Sequence, residues 1–212
     1  MRQCCGACCL FLALLTGCGG AASTPISPVR STAGSFGLMD CWAAEQGGLL
    51  EGRCQNRVTI AARPLIDRCT GVDVSVGVLE TESVGAFGWP NGHLFVTRGL
   101  VDRLNDAELS AAIAHEMGHL LDGGKLRMIG KDSDSSDRAD VLGSDRMKSE
   151  GCDVDREVRA DAAGVRLLRA DGIPPLAMLS MLKKVEMCSV LTPPGRLAIE
   201  RRLQLLSGRG GA

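Results

Sequence analysis

Tyrosine is absent from this 212-residue chain, and two Trp and four Phe are its only aromatic residues. A core drawn from such a composition must be aliphatic, built of Leu, Val, Ala and Met, which leans towards helix. No apolar run approaches the ~18 residues a membrane-crossing helix needs, so a transmembrane helix is excluded. An excess of one charge is missing too: 24 Lys+Arg stand against 25 Asp+Glu, for a net charge of −1. That balance argues against a nucleic-acid partner, which calls for a basic face or arm. Beyond Cys18 no Cys-x-x-Cys pair occurs, which speaks against a cysteine zinc site or a thioredoxin-type motif. Histidine is scarce: His93, His115 and His119 are the whole supply.

The first twenty residues read MRQCCGACCLFLALLTGCGG. Arg2 and the amino terminus are positive, and Ala7 to Gly17 is uncharged, long enough for a signal-peptide core and too short to span a bilayer. Leu15-Thr16-Gly17-Cys18 resembles the bacterial lipobox, which implies a signal peptide over 1–17 and lipid on Cys18; an ordinary secretory signal is the alternative. By resemblance to enterobacterial lipoproteins, where Asp after the cysteine favours the inner membrane, Gly19 implies anchoring in the outer membrane, on its periplasmic face. Each buried acyl methylene would add about 0.8 kcal/mol to that anchor. Residues 18–37, rich in Gly, Ser, Thr and Pro, read as a flexible tether, leaving 38–212 as the folded domain. In an oxidising compartment Cys41, Cys54, Cys69, Cys152 and Cys188 are expected to form at most two disulfides, with one thiol over and the connectivity open.

Leu38–Leu50 and Arg53–Cys69 read as helices, the second interrupted at Pro64, and the alternating Val72–Leu79 as a strand. Pro90-Asn91-Gly92 lies between two short extended runs, so a hairpin is expected over Val84–Val96. Asn105 and Glu108 form a capping box that opens a helix to about Asp122, stopped by Gly123-Gly124. Lys125–Gly151 is polar and reads as a surface loop, a candidate lid over the site. Further helices are expected from about Asp153 to Ala170, after Pro174-Pro175 and after Pro193-Pro194.

The capped helix contains His115-Glu116-Met117-Gly118-His119. Histidines four apart share one helical face, so both imidazoles can hold one Zn²⁺, with Glu116 one residue round the helix beside the open coordination position. The flanks Leu109, Ala112, Ile113, Leu120 and Leu121 are apolar, and burying such a triplet uncompensated would cost several kcal/mol. A metal provides that compensation. Asp122 and Lys125 stand where a metzincin would need Gly and His, so that branch is excluded. Glu157, in an otherwise small and apolar helix, is the candidate third ligand. Asp161, four residues on, is placed to take the free N–H of a ligand histidine. The competing reading is a solvated acidic face, of which Glu150, Asp153 and Asp155 are examples.

His-Glu-x-x-His followed by Glu157-x-x-Ala160-Asp161-x-x-Gly164 resembles the M48 gluzincin metallopeptidases, of the periplasmic lipoprotein type. Ala86–Leu100 and Asn105–Leu120 are similar to the same family's strand-and-turn segment and zinc helix. The resemblance implies an α+β, mostly helical zincin-like domain with a small β-sheet or hairpin before the zinc helix. It implies zinc-dependent endopeptidase action on periplasmic or outer-membrane polypeptides, in envelope quality control, with the outer-membrane assembly machinery as a possible partner. His115, His119 and Glu157 would hold the Zn²⁺, Glu116 would act as base, and Asp161 would support a ligand. An arginine of the last helix would stabilise the oxyanion, Arg201 by the family's Glu-Arg pattern, with Arg196 the alternative. Two departures stand out: Gly85 where the family commonly has Asn, and Leu191–Gly195 without the His-Pro histidine that can regulate the zinc. A membrane-tethered zinc-binding chaperone or scaffold without proteolysis is the alternative function.

Overall fold

The computed structural model describes residues 8–9, 37–129, 154–188 and 193–209. The helix at its centre is α4 (Asp106–Asp122), started by Asn105: its side chain accepts from the Glu108 amide while Glu108 reaches back to the Asn105 amide. Gly123 ends it. The capping box was legible in sequence because it is a local hydrogen-bond exchange.

Around α4 the chain folds as α1 (Gly37–Glu45), α2 (Arg53–Ile66), α3 (Arg98–Arg103), α5 (Val154–Ala170), α6 (Leu176–Cys188) and α7 (Pro193–Arg209). The strands are β1 (Cys8–Cys9), β2 (Leu49–Leu50), β3 (Cys69–Gly71), β4 (Ser75–Leu79), β5 (Ala86–Gly88), β6 (His93–Thr97) and β7 (Leu126–Met128). The result is α+β and mostly helical, as the sequence implied. One sheet has the order β1-β5-β6-β4-β2, with β4 and β6 parallel and every other pairing antiparallel. The expected hairpin is β5–β6, closed by a turn in which the Gly92 amide donates to the Trp89 carbonyl and Gly92 takes φ 93°.

Strand alternation puts Val78, Ala86, Leu94 and Val96 into the main core with α2, α4 and α6. That core contains no buried aromatic residue, in line with the composition. The described aromatics gather on the sheet's other face, where Trp42 of α1 meets Phe87, Trp89 and Phe95 with ring centroids 4.5–5.6 Å apart.

Several boundaries differ from expectation. α1 stops at Glu45 because Gly47 and Gly48 take φ 101° and 87°, which leaves Leu49–Leu50 to pair with β4. Pro64 lies inside α2, two residues from its end, without interrupting it. Val72 is drawn out of β4 because its amide donates to the Lys125 carbonyl, extending a second ladder of β3 with β7. That ladder uses Leu126–Met128, the start of the stretch read as a loop; the rest of it, 130–153, lies outside the described residues, as do Cys18, most of the tether, Cys152 and Leu191–Thr192. Among the described residues no disulfide forms. Cys41 and Cys188 are exposed thiols on separate helices, and Cys54 and Cys69 pack half-buried against the core.

Candidate metal centre

α4 is buried all round from Glu108 to Leu120, so whatever polar groups it carries there must be satisfied inside the protein. α5 lies closely against it because small residues meet at the contact. A Cβ on Gly118 would overlap the Ala160 carbonyl oxygen, and one on Gly164 would come within 2.8 Å of both the Ala114 carbonyl oxygen and the Met178 Cε. This approach brings Glu157, one turn before Ala160, over the two histidines.

The ligand atoms of His115, His119 and Glu157 all lie within 4.8 Å of one another. His115 Nε2 is 3.3 Å from Glu157 Oε2, and His119 Nε2 is 3.4 Å from Glu157 Oε1. The imidazole planes stand at 86° to each other. Behind them, His115 Nδ1–H donates to Asp161 Oδ1 at 2.8 Å, which presents Nε2 forward. Arg202 closes the back: Nε and Nη2 donate to the two Asp161 oxygens at 2.7 and 2.8 Å, and Nη1 lies 3.1 Å from Glu157 Oε2. All these side chains are buried.

His115 Nε2 makes no hydrogen bond with any described residue, and neither do the carboxylate oxygens of Glu116, although all are buried. Orphaned buried donors and acceptors around three converging ligand atoms are what a bound divalent cation would satisfy, and the donor set of two imidazoles and one carboxylate suits zinc chemistry. Burial, and Arg202 with it, opposes charging of His115, but Asp161 and Glu157 prevail and lift it to about 9. Burial alone would raise Glu157, yet the two histidines and Arg202 hold it well below the usual carboxylate range. Asp161 is likewise kept low, its burial offset by Arg202 and His115. Glu116 is the opposite case, since burial pushes it up to about 7. Two carboxylates are therefore kept ionised beside one poised near neutrality.

Glu116 faces the sheet edge. Its Oε2 would be 2.9 Å from a Cβ on Gly88, so the absent side chain there leaves the carboxylate beside β5. The outer edge of β5 is where Cys8–Cys9 pairs, Cys8 opposite Gly88 and Cys9 opposite Phe87.

The model for peptidase family M48 matches residues 62–135. Over that stretch the chain is similar to the M48 peptidases. It is similar to metalloprotease LoiP of Escherichia coli K12, 39% identical over 64 residues, which is 30% of this chain and 25% of that protein. It is also similar to metalloprotease YcaL of the same strain, 34% identical over 70 residues, 33% of this chain and 28% of that protein. The matched stretches thus span about a quarter of each relative's length. The M48 match ends before Glu157, so it is the packing of α5 on α4 that brings this carboxylate to the histidines.

One residue expected at the site is not there. Arg201 lies on the exposed side of α7, as does Arg196; the arginine that reaches the cluster is Arg202. One residue along a helix is a turn of about 100°, which is enough to move a side chain from solvent to core. The signal was the helical stripe Ala198, Ile199, Arg202 and Leu206, an apolar face on which an arginine requires a carboxylate partner. His93 sits on β6 with Nδ1 2.6 Å from Ser75 Oγ and takes no part in the cluster.

Proposed function

We propose that this chain is a zinc-dependent peptidase. The observation that carries the reading is the convergence of His115, His119 and Glu157 next to a buried carboxylate, Glu116, that has no hydrogen-bond partner among the described residues. When bound by these three side chains, zinc would supply Lewis-acid activation of water and of the scissile carbonyl. Glu116 takes the proton of the attacking water and passes it to the leaving amine, a role open to a buried carboxylate that no described residue engages. Asp161 fixes the His115 tautomer, and Arg202 holds Asp161 and Glu157 in place. With its donors engaged on those two carboxylates, Arg202 acts behind the ligands rather than on an oxyanion.

Substrate binds as an extended strand along the outer edge of β5, antiparallel, which brings its backbone past Glu116. The pairing of Cys8–Cys9 supports this reading, since it occupies that edge in that sense. The lipobox-like Leu15–Cys18 supports attachment through lipid on Cys18 to the outer membrane, facing the periplasm, where the substrates are unfolded envelope proteins under quality control. The test compares wild type with Glu116→Gln for metal content and for cleavage of a denatured protein. The expected result is one zinc per chain in both, with cleavage by the wild type alone. Zinc without cleavage in the wild type would support the chaperone reading instead.

A further inference from the structure

A cavity of about 690 Å³ lies between α5, α6 and α7, on the far side of Asp161 and Arg202 from the histidines. It is separate from the β5 edge, and the peptidase reading makes no use of it. Its walls carry apolar stripes: Ala162 and Val165 from α5, Leu179 from α6, and Leu205 and Leu206 from α7. The charges in the lining are of two kinds. Asp161 and Arg202 are already paired with each other, so that part of the wall offers no free charge. Arg166 and Arg169, three apart on α5, are exposed and have no ion-pair partner among the described residues. The volume falls in the ~300–1,000 Å³ range of sites that take one small molecule.

We infer that this cavity binds a single-chain anionic amphiphile, a long-chain fatty acid, with its carboxylate between Arg166 and Arg169 and its hydrocarbon tail on the apolar stripes. Charge complementarity selects the head group: Arg166 and Arg169, three apart on α5 and without an ion pair among the described residues, line one cavity and can together receive one carboxylate. The walls select the tail. A peptide would bring backbone N–H and C=O groups into a space whose one hydroxyl, on Ser207, already donates to the Leu203 carbonyl. A hydrocarbon chain carries no such groups.

The test uses the full chain, freed of bound lipid, and a fluorescent polyunsaturated fatty acid as probe, displaced by oleate or by oleyl alcohol. Oleate is expected to displace the probe at least ten times more effectively than the alcohol. Arg166→Glu combined with Arg169→Glu should weaken oleate binding at least tenfold, and Val165→Trp, which fills the cavity, should abolish it. Circular dichroism and zinc content confirm that each variant is folded. The proposal is overturned by equal affinity for acid and alcohol, by unchanged binding in the charge-reversed variant, or by no probe binding at all, as when a segment of the chain fills the space. None of these readouts depends on proteolysis.

Discussion

Arg202 and Asp161, 41 residues apart, meet through two hydrogen bonds of 2.7 and 2.8 Å, both side chains being buried. The guanidinium also reaches Glu157, so a single cation from α7 serves two carboxylates of α5. Removing it leaves both uncompensated. Arg202→Met is expected to destabilise the metal-free protein by about 3–5 kcal/mol. Adding Asp161→Asn should recover part of that, because the second carboxylate no longer needs its cation. Urea unfolding of the two single variants and the double variant checks the coupling; strictly additive losses would mean that the pair does not act as a unit.

The histidines supply the second expectation. Zinc that binds only the folded chain stabilises it by about 2.7 kcal/mol at a hundredfold excess over its dissociation constant. The wild-type Tm should therefore rise with added zinc and fall with a chelator, whereas His115→Ala should respond to neither. Because His115 is lifted to about 9 without metal, binding near neutral pH should also release a proton. Calorimetry in buffers of different ionisation enthalpy reads that proton directly, and a buffer-independent enthalpy would contradict the assignment.

Glu116 gives a pH dependence whose sign follows from its burial. In the metal-free protein its carboxyl is raised from the usual 4.5 to about 7, so the unfolded chain releases this proton first. Stability then falls as pH rises from 4.5 to 7, and the shift corresponds to about 3 kcal/mol in total. Glu116→Gln lacks the titration, so its advantage over wild type should grow across that window and level off above it. Denaturant unfolding in chelator at three pH values measures the difference. Saturating zinc should flatten it, since a nearby cation favours the carboxylate.

What the sequence disclosed and what it hid divide along the range of the interactions. The capping box of Asn105 and Glu108, the His115/His119 face and the Pro90–Gly92 turn rest on neighbours within a few residues, and all three are present as read. The small residues of α5 hinted at close packing, and Glu157 does reach the histidines across the α4–α5 contact. The β3–β7 ladder stayed hidden because it pairs Cys69–Gly71 with residues more than fifty positions on, and neither segment alternates. Arg202 was missed by one position, because residue order says which arginines lie on a helix and only the packed face says which one is inside.

The close contact of α4 with α5 carries the last prediction. Gly118 is in the middle of α4 yet close enough to Ala160 that a methyl group would overlap its carbonyl oxygen, which is backbone and cannot rotate aside. Helix propensity alone favours Ala over Gly there by roughly 1 kcal/mol. Overpacking works the other way, at typically 1–3 kcal/mol. Gly118→Ala should therefore be neutral to destabilising by up to about 2 kcal/mol, small enough to leave a folded chain. Its larger effect should fall on metal: pushing α5 away moves Glu157 off the two imidazoles, so zinc affinity should drop at least tenfold. Gly208→Ala in α7, where a Cβ meets nothing within 4 Å, is the control and should leave zinc affinity unchanged. Zinc titration of both variants decides the matter. If Gly118→Ala binds zinc as the wild type does, the spacing of the two helices does not set the position of Glu157, and the third ligand must be sought elsewhere.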